Sequence, residues 1–125
     1  MSIEITPERT QYRPGEPIQG SVAWQIGHTP QVAELRLFWF TRGQGNVDTE
    51  TVETFSFDHP LSSDAREFSI AAPEFPFSFT GELISLRWAL ELVLEPGESR
   101  MLELVIAPEG HAIVFHPPDP RWMQA

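Results

Sequence analysis

Between Ile84 and Leu94 every second residue is large and apolar: Ile84, Leu86, Trp88, Leu90, Leu92 and Leu94. No other feature of the chain restricts its fold so tightly. Side chains alternate faces along a strand, so all six point the same way and that face demands a core. The intervening Ser85, Arg87, Ala89, Glu91 and Val93 form a mixed face that tolerates water. Such a strand is one-sided and belongs to an antiparallel sheet. A helix fits less well. Leu83, Leu86, Leu90, Val93 and Leu94 follow helical spacing, but Trp88 falls off that stripe and the preceding Phe75-Pro76-Phe77-Ser78-Phe79 is poor in helix formers.

The remainder of the chain carries the same period. Ile3 and Ile5 alternate with Glu4, and after Pro14-Gly15, a pair suited to a type II turn, Ile18, Gly20, Val22, Trp24 and Ile26 share one face. Gln31 to Thr41 places Ala33, Leu35, Leu37 and Trp39 on one side and Glu34, Arg36, Phe38 and Phe40 on the other. The loop Arg42-Gly43-Gln44-Gly45-Asn46 predicts a hairpin into a Thr-, Val- and Phe-rich strand over 47–57. Arg66 to Ala71 reads as a short strand with Phe68 and Ile70 inward. Beyond the turn at Glu95-Pro96-Gly97-Glu98, Arg100, Leu102, Leu104 and Ile106 form another, and 111–115 a short last one.

Seven or eight strands divided by Pro and Gly turns, with no helix, predict an all-β fold: an antiparallel β-sandwich of two sheets. The 125 residues, 41% of them apolar, suit one domain with its own core. We assign residues 1–115 to the sandwich and 116–125, with Pro117, Pro118 and Pro120, to a Pro-rich tail that cannot continue a ladder.

Composition removes several functions. There is no Cys, hence no disulfide and no thiolate metal site, and the start of the chain has neither a basic nor an apolar leader segment, so a cytoplasmic protein is expected. All eight basic residues are Arg against eighteen acidic ones, a net charge of −10 that disfavours nucleic acid and anionic lipid. The absence of Lys excludes Schiff-base chemistry and a phosphate-binding loop lysine. No uninterrupted apolar run is long enough to cross a bilayer.

Two stretches taken together point further. Tyr12-Arg13-Pro14-Gly15-Glu16-Pro17-Ile18-Gln19-Gly20 is followed at a distance by Phe75-Pro76-Phe77-Ser78-Phe79-Thr80-Gly81 leading into the alternating strand. Their order and spacing, over Ile3 to about Ile106, resemble the arrestin-like family. The resemblance implies an immunoglobulin-like β-sandwich of the arrestin type, whose relatives are mostly non-catalytic adaptors, trafficking scaffolds and, in bacteria, small regulatory proteins. Those relatives usually carry two sandwiches in tandem, and this chain has room for one.

Chemistry-bearing patterns are sparse. Gly20 and Gly81 are read as sites of close backbone approach, and Phe75, Phe77 and Phe79 as core. His28, His59, His111 and His116 lie in predicted loops without metal-ligand spacing, Ser62-Ser63-Asp64 reads as turn chemistry, and the acidic groups around Glu50 and Glu98 lack a calcium-loop pattern. Pro117 to Arg121 has a Pro-x-x-Pro form but is taken as a plain chain end. Neither catalytic residues nor a cofactor nor a metal is assigned.

The sequence therefore reads as a non-catalytic module that binds a protein partner through a sheet edge or loops, or that self-associates as a homodimer. A metal-binding or hydrolytic sandwich using the loop histidines, and a carbohydrate-binding sandwich using exposed Trp, are the alternatives. The expected interaction surface is an apolar excess on nominally outward positions, Val32, Phe38, Phe40, Leu83 and Val93, alongside Ala89. The rival explanation for that excess is cover from the chain's own tail or from the Phe75–Phe79 segment.

Overall fold

The computed structural model describes residues 1–43, 47–81 and 83–114, and among these no helix forms. Ten strands are present. They are β1 (Ser2–Pro7), β2 (Gln11–Tyr12), β3 (Pro17–Gln25), β4 (Val32–Gly43) and β5 (Thr49–Ser56), then β6 (Ser63–Ala71), β7 (Phe79–Thr80), β8 (Ile84–Glu95), β9 (Glu98–Ile106) and β10 (Ile113–Val114). The smaller sheet has the order β1-β3-β6, and the larger runs β10-β7-β8-β4-β5 with β9 also on β8 and β2 on β9. This is a two-sheet β-sandwich.

Two elements, β2 and β7, exceed the expected eight, and each is only two residues long; the expected short last strand over 111–115 is β10. Two of the short pairings, β10 with β7 and β2 with β9, are parallel, a departure from a wholly antiparallel arrangement. A further departure concerns β6, which starts at Ser63 rather than Arg66 because Asp64 serves the turn and the strand at once. The expected Pro-rich tail and most of the glycine loop after Arg42 lie outside the described residues.

The larger sheet is built on β8. Along one edge it pairs with β4 over twelve consecutive positions, from Val32↔Glu95 to Gly43↔Ile84. Its other edge is shared: β7 pairs at Phe79↔Leu86, and β9 takes over from Trp88↔Leu104 to Leu94↔Glu98. A strand hydrogen-bonded on both sides buries every side chain on the face it turns inward, and Leu86, Trp88, Leu90, Leu92 and Leu94 are all buried. Ile84, assigned to the same face, is 42% exposed because it sits at the strand's end opposite Gly43, past the limit of the core.

Against this face packs the smaller sheet, through Ile18, Val22 and Trp24 of β3 and Phe68 and Ile70 of β6. Trp24 leans on Phe57, ring centroids 6.1 Å apart. Both buried indoles find acceptors: Trp24 Nε1 donates to the Leu61 carbonyl at 2.7 Å and Trp88 Nε1 to the Pro76 carbonyl at 2.8 Å. Pro76 thus belongs to the core through its backbone, and the Phe segment that carries it divides. Phe79 packs against the core, whereas Phe75 is 76% exposed and so is not the core residue expected. Ser78, fully buried, ties the segment to β9, accepting from the Ile106 N–H at 3.1 Å and donating its own N–H to the Ile106 carbonyl at 2.7 Å.

The glycine readings hold. Gly15 sits at φ +83° with the Glu16 N–H bonded to the Arg13 carbonyl, the geometry of a type II turn. A Cβ on Gly20 would lie 2.3 Å from the Thr6 carbonyl oxygen, and one on Gly81 2.5 Å from that of Ile84.

Two outcomes follow from this packing. Trp88→Ala removes a 0% exposed indole and its hydrogen bond, and costs about 3–5 kcal/mol in urea unfolding. Gly20→Ala forces β1 off β3 and costs about 1–3 kcal/mol, the range for inserting a methyl where backbone already stands. An unchanged urea midpoint in either variant would contradict the packing described.

Candidate interaction surface

The outward face of the larger sheet is ordered by the same ladders that build the core. Residues paired across strands share a face, so Val32, Glu34, Arg36, Phe38, Phe40 and Arg42 of β4 lie beside Ser85 to Glu95 of β8 at alternate positions. β9 adds Met101 beside Glu91 and Glu103 beside Ala89, and β5 adds Thr49, Thr51 and Thr54. A β-bulge between Leu37 and Phe38 absorbs Val52 on β5.

Four of the five expected interaction residues, Val32, Phe38, Phe40 and Val93, lie on this face; Leu83, 65% exposed, stands just ahead of β8 at the end of the sheet where Gly43 lies. The register divides them. Phe38 lies opposite Ala89 and Phe40 opposite Arg87, with ring centroids 5.9 Å apart, and Val32 and Val93 lie at the far end. Between the two patches runs a charged belt in which Arg36 Nε donates to Glu34 Oε1 at 2.9 Å, with Glu91 alongside Arg36.

Phe40 is 9% exposed, and its cover is a cation: the Arg42 guanidinium lies 5.2 Å from the ring centroid while reaching Glu103 at 3.8 Å. Phe38 is half-buried, and Ala89 between the larger side chains is wholly covered. Arg36, Arg42 and Arg87 stand on this face against Glu34, Glu91, Glu95 and Glu103, a net of −1 where the whole chain carries −10. Summed over the face the charges nearly cancel, with the small acidic excess at the Val32 end, where Glu34, Glu91 and Glu95 stand against Arg36.

The other surfaces lead to no comparable site. The smaller sheet turns outward Ser, Ala, Gln and Thr from all three strands, with Glu4 and Glu67 the charges. Among the described residues no group of three or more His, Asp or Glu is arranged to hold a metal ion. His28 and His59 are exposed, and exposed His111 touches only Glu109, at 3.4 Å; His116 lies outside the described residues, as does the Pro-x-x-Pro segment. Trp24 and Trp88 are buried and Trp39 packs against the core, so none of the described tryptophans offers a sugar-stacking face.

Sequence reasoning missed the Asp64–Arg66 pair. Arg66 donates to Asp64 from Nε at 3.0 Å and Nη2 at 2.9 Å, and Asp64 also accepts the Leu61 and Ala65 N–H groups at 3.1 and 2.9 Å. Both side chains stand on the inward face of β6, where a charged pair at a free edge discourages strand addition. The alternation of β6 contained the signal, had the strand been started three residues earlier. The Arg66 hydrogen bond, helped by the two backbone donors, holds the Asp64 carboxyl below its ordinary 3.8.

No family model matches the chain, and no curated protein matches it in sequence. Among solved structures it is similar to Spo0M, a sporulation control protein from Bacillus subtilis, with a TM-score of 0.60 at 18% identity. The match covers 84% of this chain and 48% of that one, so the chain spans about half the length of this neighbour. The likeness is one of fold.

Because the Asp64 carboxyl is depressed in the folded state, its stabilisation is complete above pH 3.8 and disappears as pH falls through the folded value. Asp64→Asn is therefore less stable than the parent at neutral pH, and urea titrations of the two converge as the pH is lowered from above 3.8 through the folded value of the Asp64 carboxyl. A stability gap unchanged across that range would show that the carboxylate's charge contributes nothing.

Proposed function

We propose that this sandwich is a non-catalytic regulatory or adaptor module that binds a protein through the outer face of its larger sheet. The observation that carries the reading is the Phe38–Phe40 pair, set beside Ala89 on a face whose charges nearly cancel, in a chain that is elsewhere strongly acidic. Apolar area ringed by paired charges is the usual make-up of an interface centre and rim. Val32 and Val93 extend the contact at one end and Leu83 at the other. The neighbouring fold of a sporulation control protein agrees with a regulatory role, and the absence of any motif for nucleophilic or acid–base chemistry leaves catalysis without a carrier.

The test compares the tagged parent with Phe38→Glu and with Glu4→Arg, which changes the opposite sheet's outer face. Proteins retained by the parent and by Glu4→Arg are lost with Phe38→Glu, while circular dichroism and the urea midpoint of Phe38→Glu remain those of a folded domain. Retention of the same proteins by all three variants would overturn the assignment of this face.

A further inference from the structure

Arg87 and Glu91 stand on the outward face of β8 on either side of Ala89, and both are half-buried. Neither side chain has a hydrogen bond or ion pair among the described residues, and Arg36, which lies opposite Glu91, is bonded to Glu34. The other two half-buried arginines, Arg36 and Arg66, are each held by a carboxylate two positions away on their own strand. Arg87 and Glu91 cannot serve one another, because four residues of strand separate them by about 13 Å with Ala89 between. Partly desolvated charges without partners cost stability, and a matching pair of opposite sign invites one partner that supplies both.

We infer that the partner is a second copy of this chain, packed face to face across a two-fold axis that crosses β8 at Ala89 and β4 at Phe38. The inference rests on the interaction face proposed above and names its occupant. Rotation about an axis lying between the sheets and perpendicular to the strands reverses β8 over its copy. Each residue then meets the one equally far on the other side of position 89. Arg87 meets Glu91 of the second copy and Glu91 meets its Arg87, about 7 Å to either side of the axis.

The same operation on β4, centred on Phe38 by its pairing with Ala89, sets Phe40 opposite Arg36 and Arg42 opposite Glu34. Phe38 meets itself on the axis, and Ala89, the smallest side chain of the row, lets the two sheets close to roughly the 10 Å of stacked sheets. A sequence that reads Arg, Ala, Glu on one strand and Glu, Arg, Phe, Phe, Arg on its neighbour is thus complementary to its own reverse. The like-charge opposition on the axis is Glu103 with its copy, and Arg42 already reaches Glu103 within each protomer. Four strands of up to twelve residues span roughly 19 by 40 Å, on the order of 750 Å² per copy, which is close to the ~800 Å² of a standard interface.

Sedimentation equilibrium on the full chain tests this. The parent dimerises, and Arg87→Glu and Glu91→Arg each weaken dimerisation roughly 100-fold, since one substitution spoils two symmetry-related ion pairs worth about tenfold apiece. The decisive sample is an equimolar mixture of the two variants. In it the carboxylate introduced at position 87 of one chain meets the guanidinium introduced at position 91 of the other, and the unchanged Glu91 of the first meets the unchanged Arg87 of the second. A heterodimer therefore forms where neither variant dimerises alone. The double variant, which exchanges both charges, also dimerises. Unchanged circular dichroism in each variant excludes unfolding as the cause. A parent that stays monomeric up to about 1 mM, or a mixture that stays monomeric while the parent dimerises, overturns the proposal. A monomeric parent whose captured proteins are still lost with Phe38→Glu would leave the interaction face standing and remove only the second copy as its occupant.

Discussion

The pairing of β8 with β4 over twelve positions is the constraint on which everything else in the molecule depends. It fixes two faces at once. A shift of one residue would carry Leu35, Leu37, Trp88 and Leu90 to the outside and bring Glu34, Arg36, Arg87 and Glu91 into the core, so the alternation of both strands admits a single register. The buried side receives the smaller sheet through Trp24, Ile18 and Phe68, and the outward side receives a pattern of aromatic and charged rows that no interior packing requires. Core and candidate interface are therefore two readings of one ladder.

Much of this was legible in the residues themselves. Every long strand was visible as a period of two, because a side chain that must be buried leaves its mark at every second position whatever its partner. Short strands leave no such mark. β2 and β7 have two residues each and exist because Tyr12, Ser78 and the backbone of β9 are held together by long-range hydrogen bonds, which have no local signature, whereas β10 falls within the short strand expected over 111–115. Phe75 and Phe79 look alike in sequence and separate in space, since only Phe79 is drawn against Leu86 by pairing with β8.

The candidate surface was legible by composition and not by arrangement. Outward apolar residues at Val32, Phe38, Phe40 and Val93 were evident, yet a single strand cannot show that Glu34 and Arg36 bond to each other and split the patch, nor that Arg42 turns back over Phe40. The arrangement appears only when β4 is laid against β8 in register. The same holds for Arg87 and Glu91, which look like ordinary wet-face charges until it is seen that neither side chain is bonded to a described residue and that Arg36, opposite Glu91, is taken by Glu34.

A partner for such a sandwich has two routes, along an edge or over a face, and the edges are poorly suited. On β5 the ladder is broken by the bulge opposite Leu37 and Phe38, and Glu50 and Glu53 stand on the strand itself. On β6 the Asp64–Arg66 pair occupies the inward face at the entrance to the core, so an added strand would have to desolvate it. β1 ends in Pro7, and at the opposite side of the larger sheet the edge is divided between the two residues of β10 and β9, which β2 covers at Val105 and Ile106 and which carries Glu98 and Arg100 along its open stretch. Each device makes strand addition costly, and none touches the outward face of β4 and β8. Selection against edge pairing thus coincides with an open, nearly neutral face bearing paired aromatics, a combination that favours recognition over the broad side of the larger sheet.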